Sequence, residues 1–166
     1  MITAEEVIRT LQLEKHPVEG GYFLETYRSK EIVTDKLRGG RSYSTAIYYM
    51  LTNEPGTFSE MHRLTVDEVF HFYFGDPVEM LFLYPDGSGK QVILGPGIEK
   101  GMRPQVVVPA GVWQGARLSP GGNFALMGTT VAPGFEYTDY LSGSRKELIK
   151  RYPDFKELLT ALTRTP

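Results

Sequence analysis

The chain of 166 residues contains no cysteine, which excludes disulfides, thiolate metal sites and a cysteine nucleophile. It has only three histidines, so imidazole chemistry must come from His16, His62 or His71. It also lacks any block of like charge: Lys plus Arg total 18 against 20 for Asp plus Glu, a net charge of -2. Binding to nucleic acid or to an anionic membrane needs a concentrated basic surface, and neither partner is expected. No apolar run approaches the ~20 residues needed to cross a bilayer. The N-terminal MITAEEVIRT has neither the basic segment nor the apolar stretch of a secretion signal, which leads to the expectation of a cytoplasmic protein. A phosphate loop and a Gly-x-Ser-x-Gly nucleophile elbow are both missing. Internal repeats, low-complexity segments and linkers are absent as well.

What is present is β-rich. Aromatic residues make up 12% of the chain, and 18 Gly with 11 Pro mark frequent turns. The length suits one domain, able to bury roughly two-thirds of its unfolded surface. Thr3 with Glu6 forms a capping box ahead of a helix from about Ala4 to Leu13, which His16-Pro17 brings to an end. A first strand is predicted over Gly21 to Arg28, and the charged stretch Lys30 to Gly40 reads as a loop or hairpin end. Ser42 to Leu51 suits a strand buried on both faces. Further strands follow at short intervals: Phe58 to His62, Glu68 to Phe74, Glu79 to Tyr84, Gln91 to Leu94, Gln105 to Pro109, Val112 to Leu118 and Phe124 to Val131. Many short strands without helices between them indicate an antiparallel sandwich or barrel. Ser144 with Glu147 reads as a second capping box, opening a helical segment that Pro153 interrupts.

Two spaced runs stand within this pattern. The first is Gly56, five residues, His62, one residue, Leu64, three residues, Glu68, six residues, Gly75; the second is Pro109-x-Gly111-x-x-Gln114. Together they resemble the two motifs of the cupin superfamily, in which the first run supplies two histidines and a glutamate to a metal ion and the second supplies a third histidine. Leu64 stands at the position of the second histidine and Gln114 at that of the third. The strings EGGYFLETYRS, FSEMHRLTVDEVFHFYFGDP, VVVPAGVWQGA and TTVAPGFEYTDY are similar to a cupin branch described as a domain of unknown function, the fifth cupin family. The resemblance implies an all-β, single-domain antiparallel jelly-roll barrel spanning 1–166. In it the N-terminal helix covers about 4–13, the barrel about 20–135 and the C-terminal helices about 144–163. It also implies a homodimer and a ligand pocket at one mouth of the barrel.

The candidate residues follow from motif position and strand alternation. His62, able to act as a base near neutral pH, and Glu68, whose pKa burial would raise, are the catalytic candidates. Tyr73 is the candidate acid, with Tyr49 as a second phenol donor and ligand contact. Gln114 would orient a ligand through its amide. Trp113 would wall the pocket, Arg28 would hold a carboxylate or phosphate bidentately, and Ser59 on the strand of His62 completes the ligand-binding set. Alternation puts Glu68, Phe70, Phe72 and Phe74 on one face and Val69, His71 and Tyr73 on the other, so His71 reaches the pocket only if the strand is bulged. His16 reads as a loop or helix-end residue.

Three functions are consistent with these residues. The first is a metal-independent isomerase or epimerase acting on a sugar-like or nucleotide-sugar-like molecule, with no cofactor required. The second is an oxygenase or isomerase holding one divalent transition metal through His62, Glu68 and Gln114. The third is a non-catalytic module that binds a small polar ligand. Zinc sites generally use at least three protein ligands, so the losses at Leu64 and Gln114 favour the first and third.

Overall fold

A computed structural model describes residues 2–34 and 40–164. A helix, α1 (Ala4–Leu11), opens the chain, followed by β1 (Glu14–Lys15), β2 (Tyr22–Arg28), β3 (Thr45–Thr52), β4 (Ser59–Arg63) and β5 (Glu68–Gly75). Next come β6 (Val78–Leu83), β7 (Gly89–Leu94), β8 (Gln105–Val108), β9 (Trp113–Leu118), β10 (Phe124–Val131) and β11 (Leu141–Ser142). Two helices, α2 (Arg145–Arg151) and α3 (Lys156–Ala161), end the described chain. The strands form two antiparallel sheets, six-stranded in the order β1-β2-β3-β10-β5-β8 and five-stranded in the order β11-β4-β9-β6-β7. This is the all-β jelly roll that the sequence implied.

The capping box at Thr3 is formed: its hydroxyl accepts from the Glu6 amide, and the Glu6 carboxylate accepts from the Thr3 amide. The helix nevertheless stops before Leu13, because Gln12 adopts the left-handed conformation at φ 54° and its successors join β1. His16-Pro17 lies beyond that end. The second predicted box does not form, since the Ser144 side chain makes no capping bond. Part of the loop predicted over Lys30 to Gly40 lies outside the described residues.

Alternation fills the space between the sheets. Tyr49 and Leu51 of β3, Phe70 of β5, Met80 and Phe82 of β6, and Met127 of β10 meet in one core. On the outer face of the six-stranded sheet, Val7 of α1 packs with Met50 and Leu126. On the outer face of the five-stranded sheet, Leu148, Leu159 and Leu162 pack on Met61, Leu81 and Leu83. Covering both outer faces in this way removes apolar surface from water.

Three register shifts break the alternation: one in β2 between Glu25 and Tyr27, one in β4 between Ser59 and His62, and one where Met127 and Leu126 of β10 oppose Phe72 and Phe74 of β5. Each is a bulge, which adds a residue and re-aims the side chains beyond it. The bulge in β5 overturns the expected placing of Phe74, which packs edge-to-face on Phe124 at 5.7 Å on the outer side. Gly75 follows at φ 105°, a conformation that suits glycine.

Candidate functional site

Strands β2, β3, β4, β5 and β10 and the loop from Ala132 to Tyr140 enclose a cavity of about 160 Å³ at one mouth of the barrel. Its polar lining includes His16, Glu19, His62, Glu68 and Tyr140. Leu64, Val66 and Val131 pack with Phe135 and Tyr140 beside it.

His62 is 2% exposed. The bulge in β4 turns the backbone at Glu60 and Met61 away from β9: their amides bond to the carbonyls of Glu19 and Leu162. The Glu60 carbonyl lies 2.7 Å from Nδ1 of His62. A carbonyl only accepts, so Nδ1 carries a proton, and in the neutral ring Nε2 presents a lone pair. The same bulge lets Ser59 face inward with His62, and the Ser59 hydroxyl donates to Glu19 Oε1. The His62 ring stacks on Tyr140, with centroids 4.7 Å apart and an interplanar angle of 16°.

His16 has the opposite polarity. Its Nδ1 accepts from the amides of Glu19 at 2.9 Å and Val18 at 3.3 Å. The ring in this state is neutral with its proton on Nε2. Burial pushes the His16 pKa down; Glu19 opposes this and His62 adds to it. Gln114 donates from Nε2 to Glu68 Oε2 at 2.6 Å. Burial pushes the Glu68 carboxyl up and the charge of Glu19 reinforces it, against His62, Gln114 and Thr129. The Tyr140 hydroxyl is buried without a hydrogen-bond partner among the described residues. Burial holds its proton tightly, and the charges of Glu19 and Glu60 add to the effect, against the nearby Ser142 side chain and Arg164.

The structure thus brings together His62, Glu68 and Gln114 of the sequence candidates, with Ser59 and Tyr49 behind Glu19. Tyr49 is 1% exposed and donates to the Gly20 carbonyl at 2.9 Å. Arg28 reaches the mouth because the bulge in β2 places it on the same side as Glu25. It bonds Glu25 at 2.9 Å and Glu136 at 3.0 Å, so its guanidinium is already paired.

Three candidates stand elsewhere. Tyr73, the residue at the bulge in β5, is 48% exposed and packs on Tyr48 outside the barrel. His71 is on the outer face, between Thr130 and Gln105 at 3.2 Å each. Trp113 also faces outward, beneath the guanidinium of Arg63, and packs with the helical cluster.

Sequence reasoning passed over His16 as a site residue and missed Glu19 and Tyr140. One signal was the Gly20-Gly21 pair after Glu19: both have positive φ, and a Cβ at Gly20 would strike the Phe58 carbonyl. That close approach seats the His16–Glu19 loop in the barrel mouth.

Among solved structures, a hypothetical protein from Leishmania major is 30% identical over 99% of this chain and 100% of its own, with a TM-score of 0.89. A protein from Shewanella oneidensis is 34% identical over the whole of both chains, with a TM-score of 0.88. Oxalate decarboxylase from Bacillus subtilis is 15% identical over 92% of this chain and 38% of its own, with a TM-score of 0.54, a likeness of fold alone. No curated protein matches the sequence. The family described as Cupin superfamily (DUF985) matches residues 5–142, and the chain belongs to that family, Cupin_5.

Proposed function

We propose that this protein binds a small polar, sugar-like molecule in the barrel mouth and moves a proton on it without requiring a metal, as an isomerase or epimerase does. The observation that carries the reading is the opposed polarity of His62 and Tyr140: a ring nitrogen with a free lone pair stacked on a phenol whose buried hydroxyl has no partner. His62 Nε2 would take a proton from carbon beside a carbonyl, and the electron pair of that C–H bond would move onto the carbonyl oxygen. The Tyr140 hydroxyl and the His16 Nε2–H, both neutral donors, would hold the developing oxyanion. The imidazolium, kept in place by the Glu60 carbonyl, then delivers the proton to the neighbouring carbon, the former carbonyl carbon. The hydroxyl proton on the first carbon passes to the oxyanion, and the pair left on that oxygen re-forms the carbonyl there, giving the isomer.

The donor set supports the metal-free form. Leu64 is apolar, Gln114 spends its amide N–H on Glu68, and His16 spends its Nδ1 lone pair on two backbone amides. His62 Nε2 remains as the one imidazole lone pair lining the cavity. Although the Glu19 and Glu68 carboxyls lie in the same lining, no three His, Asp or Glu side chains among the described residues are spaced to hold one metal ion as catalytic zinc sites do.

The test is solvent exchange. Glucose, glucosamine, fructose, glucuronate and a dTDP-4-keto-6-deoxy sugar are incubated with the protein in D2O and followed by proton NMR. Loss of a proton beside the carbonyl of one of them, abolished in His62→Gln and slowed about a hundredfold in Tyr140→Phe, is the expected result. Saturable binding in the barrel with no exchange would replace the enzyme reading by a binding module. Exchange that depends on added divalent metal would overturn the metal-free form.

A further inference from the structure

The cavity is unequal in charge. Four carboxylates, those of Glu19, Glu25, Glu68 and Glu136, line it against one guanidinium, that of Arg28. Arg28 is already bonded to Glu25 and Glu136 at the mouth. Deeper in, Glu19 and Glu68 have no lysine or arginine beside them in the lining among the described residues. Ser59 and Gln114 fix one oxygen of each. His16 is neutral in its hydrogen-bonded form and supplies no compensating charge.

A second observation points the same way. His62 is buried to all but 2% and presents Nε2 as a lone pair with no partner among the described residues. In its neutral form the His62 ring adds an acceptor and no positive charge beside Glu68 and Glu19. An anion placed there would face like charge with little water to screen it. Phe23, Ile47, Val131 and Phe135 supply apolar wall, which suits the short carbon frame of an organic cation and gives aromatic faces for its charge.

We infer that this cavity recognises its ligand through a protonated amine, placed at Glu19 and Glu68 beside His62 so that Nε2 stays free to face the ligand's carbon frame, and rejects phosphorylated and carboxylated analogues. The inference rests on the proposed function for the location of the substrate and adds its chemical class: a small amine-bearing polar molecule such as an amino sugar or amino alcohol. An ammonium brings three N–H donors and a positive charge to the Glu19 and Glu68 end of the cavity, which neither a hydroxyl nor a phosphate can do.

With three histidines in the chain, their side-chain NMR signals form a simple readout. His16 and His62 report on the cavity, and His71 on the outer face is an internal reference. Protein labelled with 15N is titrated at pH 7 and constant ionic strength with ethanolammonium chloride, ethylene glycol, sodium phosphate and zinc chloride. Ethanolammonium should move His16 and His62 saturably and leave His71 in place. Ethylene glycol should bind at least about tenfold more weakly, and phosphate should leave all three signals unchanged. Glu19→Gln should weaken the ammonium response several-fold.

The ranking of probes on the wild type decides the matter even if that variant fails to fold. Equal response to ethylene glycol, a response to phosphate, zinc saturating the same signals ahead of the ammonium, or no response at His16 and His62 would each overturn the inference. Saturable ammonium binding without exchange on any sugar would sink the proton-transfer reading and leave this one standing. Exchange on a neutral sugar with no ammonium response would do the reverse.

Discussion

Replacing Asp139 by alanine should cost about 3 kcal/mol of stability and loosen the loop that carries Tyr140. Asp139 is 2% exposed. Its carboxylate accepts from Arg41 Nη1 at 2.7 and 2.8 Å, from the Thr65 hydroxyl, and from the Glu136 amide at 3.2 Å. The aspartate therefore joins the segment before β3, the turn before β5 and the loop over the cavity. Breaking a buried ion pair by removing one partner costs about 3–5 kcal/mol. The Arg41 side chain keeps 22% of its exposure, so water can take up part of its charge and the low end applies. For a chain of this length, ~3 kcal/mol corresponds to a fall in Tm of roughly 6–12 °C.

Urea denaturation of Asp139→Ala, Arg41→Met and the double variant gives both the loss and the coupling. A coupling of about 1.5–3 kcal/mol is expected, the range of a hydrogen bond to a charged group. Asp139→Asn, which keeps one acceptor oxygen, should lose about half as much. A loss below ~1 kcal/mol in Asp139→Ala, or additive single variants, would refute the claim that this buried carboxylate fastens the loop, since a pair dominated by solvent is worth no more than that.

Two further outcomes follow from local geometry. The Glu68 carboxyl titrates above its usual value of 4.5 because burial disfavours its charge. The native state therefore keeps that proton to higher pH than the unfolded chain, and the stability it lends is present below the ordinary value and lost as pH rises through the folded value. Glu68→Gln, which cannot ionise, should gain stability relative to the wild type between pH 4 and pH 8 in urea denaturation; a flat or falling difference would contradict burial as the dominant cause. Gly75→Ala should lose at least ~2 kcal/mol, because φ is 105° and the new Cβ would strike the Phe124 carbonyl, while Gly56→Ala, at φ 84° in open space, should lose about 1 kcal/mol. Equal melting temperatures for these two variants would show that the close approach at Gly75 carries no cost.

The strands from β2 to β10 were legible in the sequence because their signals are local. Turns such as Pro55-Gly56, Gly75-Asp76-Pro77, Asp86-Gly87 and Pro120-Gly121 separate the runs, and the apolar alternation of Val78, Met80 and Phe82 against Leu81 and Leu83 survives into two separate cores. The motif positions of His62, Glu68 and Gln114 likewise carried these residues to one face, where Gln114 meets Glu68. The short strands β1 and β11 escaped notice because each has only two residues, too few for any period to show.

The bulges were decided in three dimensions. Nothing in Glu25-Thr26-Tyr27, Ser59-Glu60-Met61 or Phe72-Tyr73-Phe74 announces an extra residue, since a bulge is a mismatch between a strand and its partner rather than a property of either. Yet these bulges place Arg28 at the mouth, bring Ser59 and His62 to one side, and keep Phe74 out of the barrel. His16, Glu19 and Tyr140 enter the cavity from loops far apart in the chain, brought there by the Gly20-Gly21 approach and the Asp139 network. The sequence by itself determined the β class and the strand runs, because these follow from side-chain period and turn chemistry, while the barrel was implied by the resemblance of its two motifs to the cupin pattern. The tertiary structure alone decided which titratable groups share the cavity and which nitrogen of each histidine faces it, because both depend on backbone groups supplied by distant strands and loops.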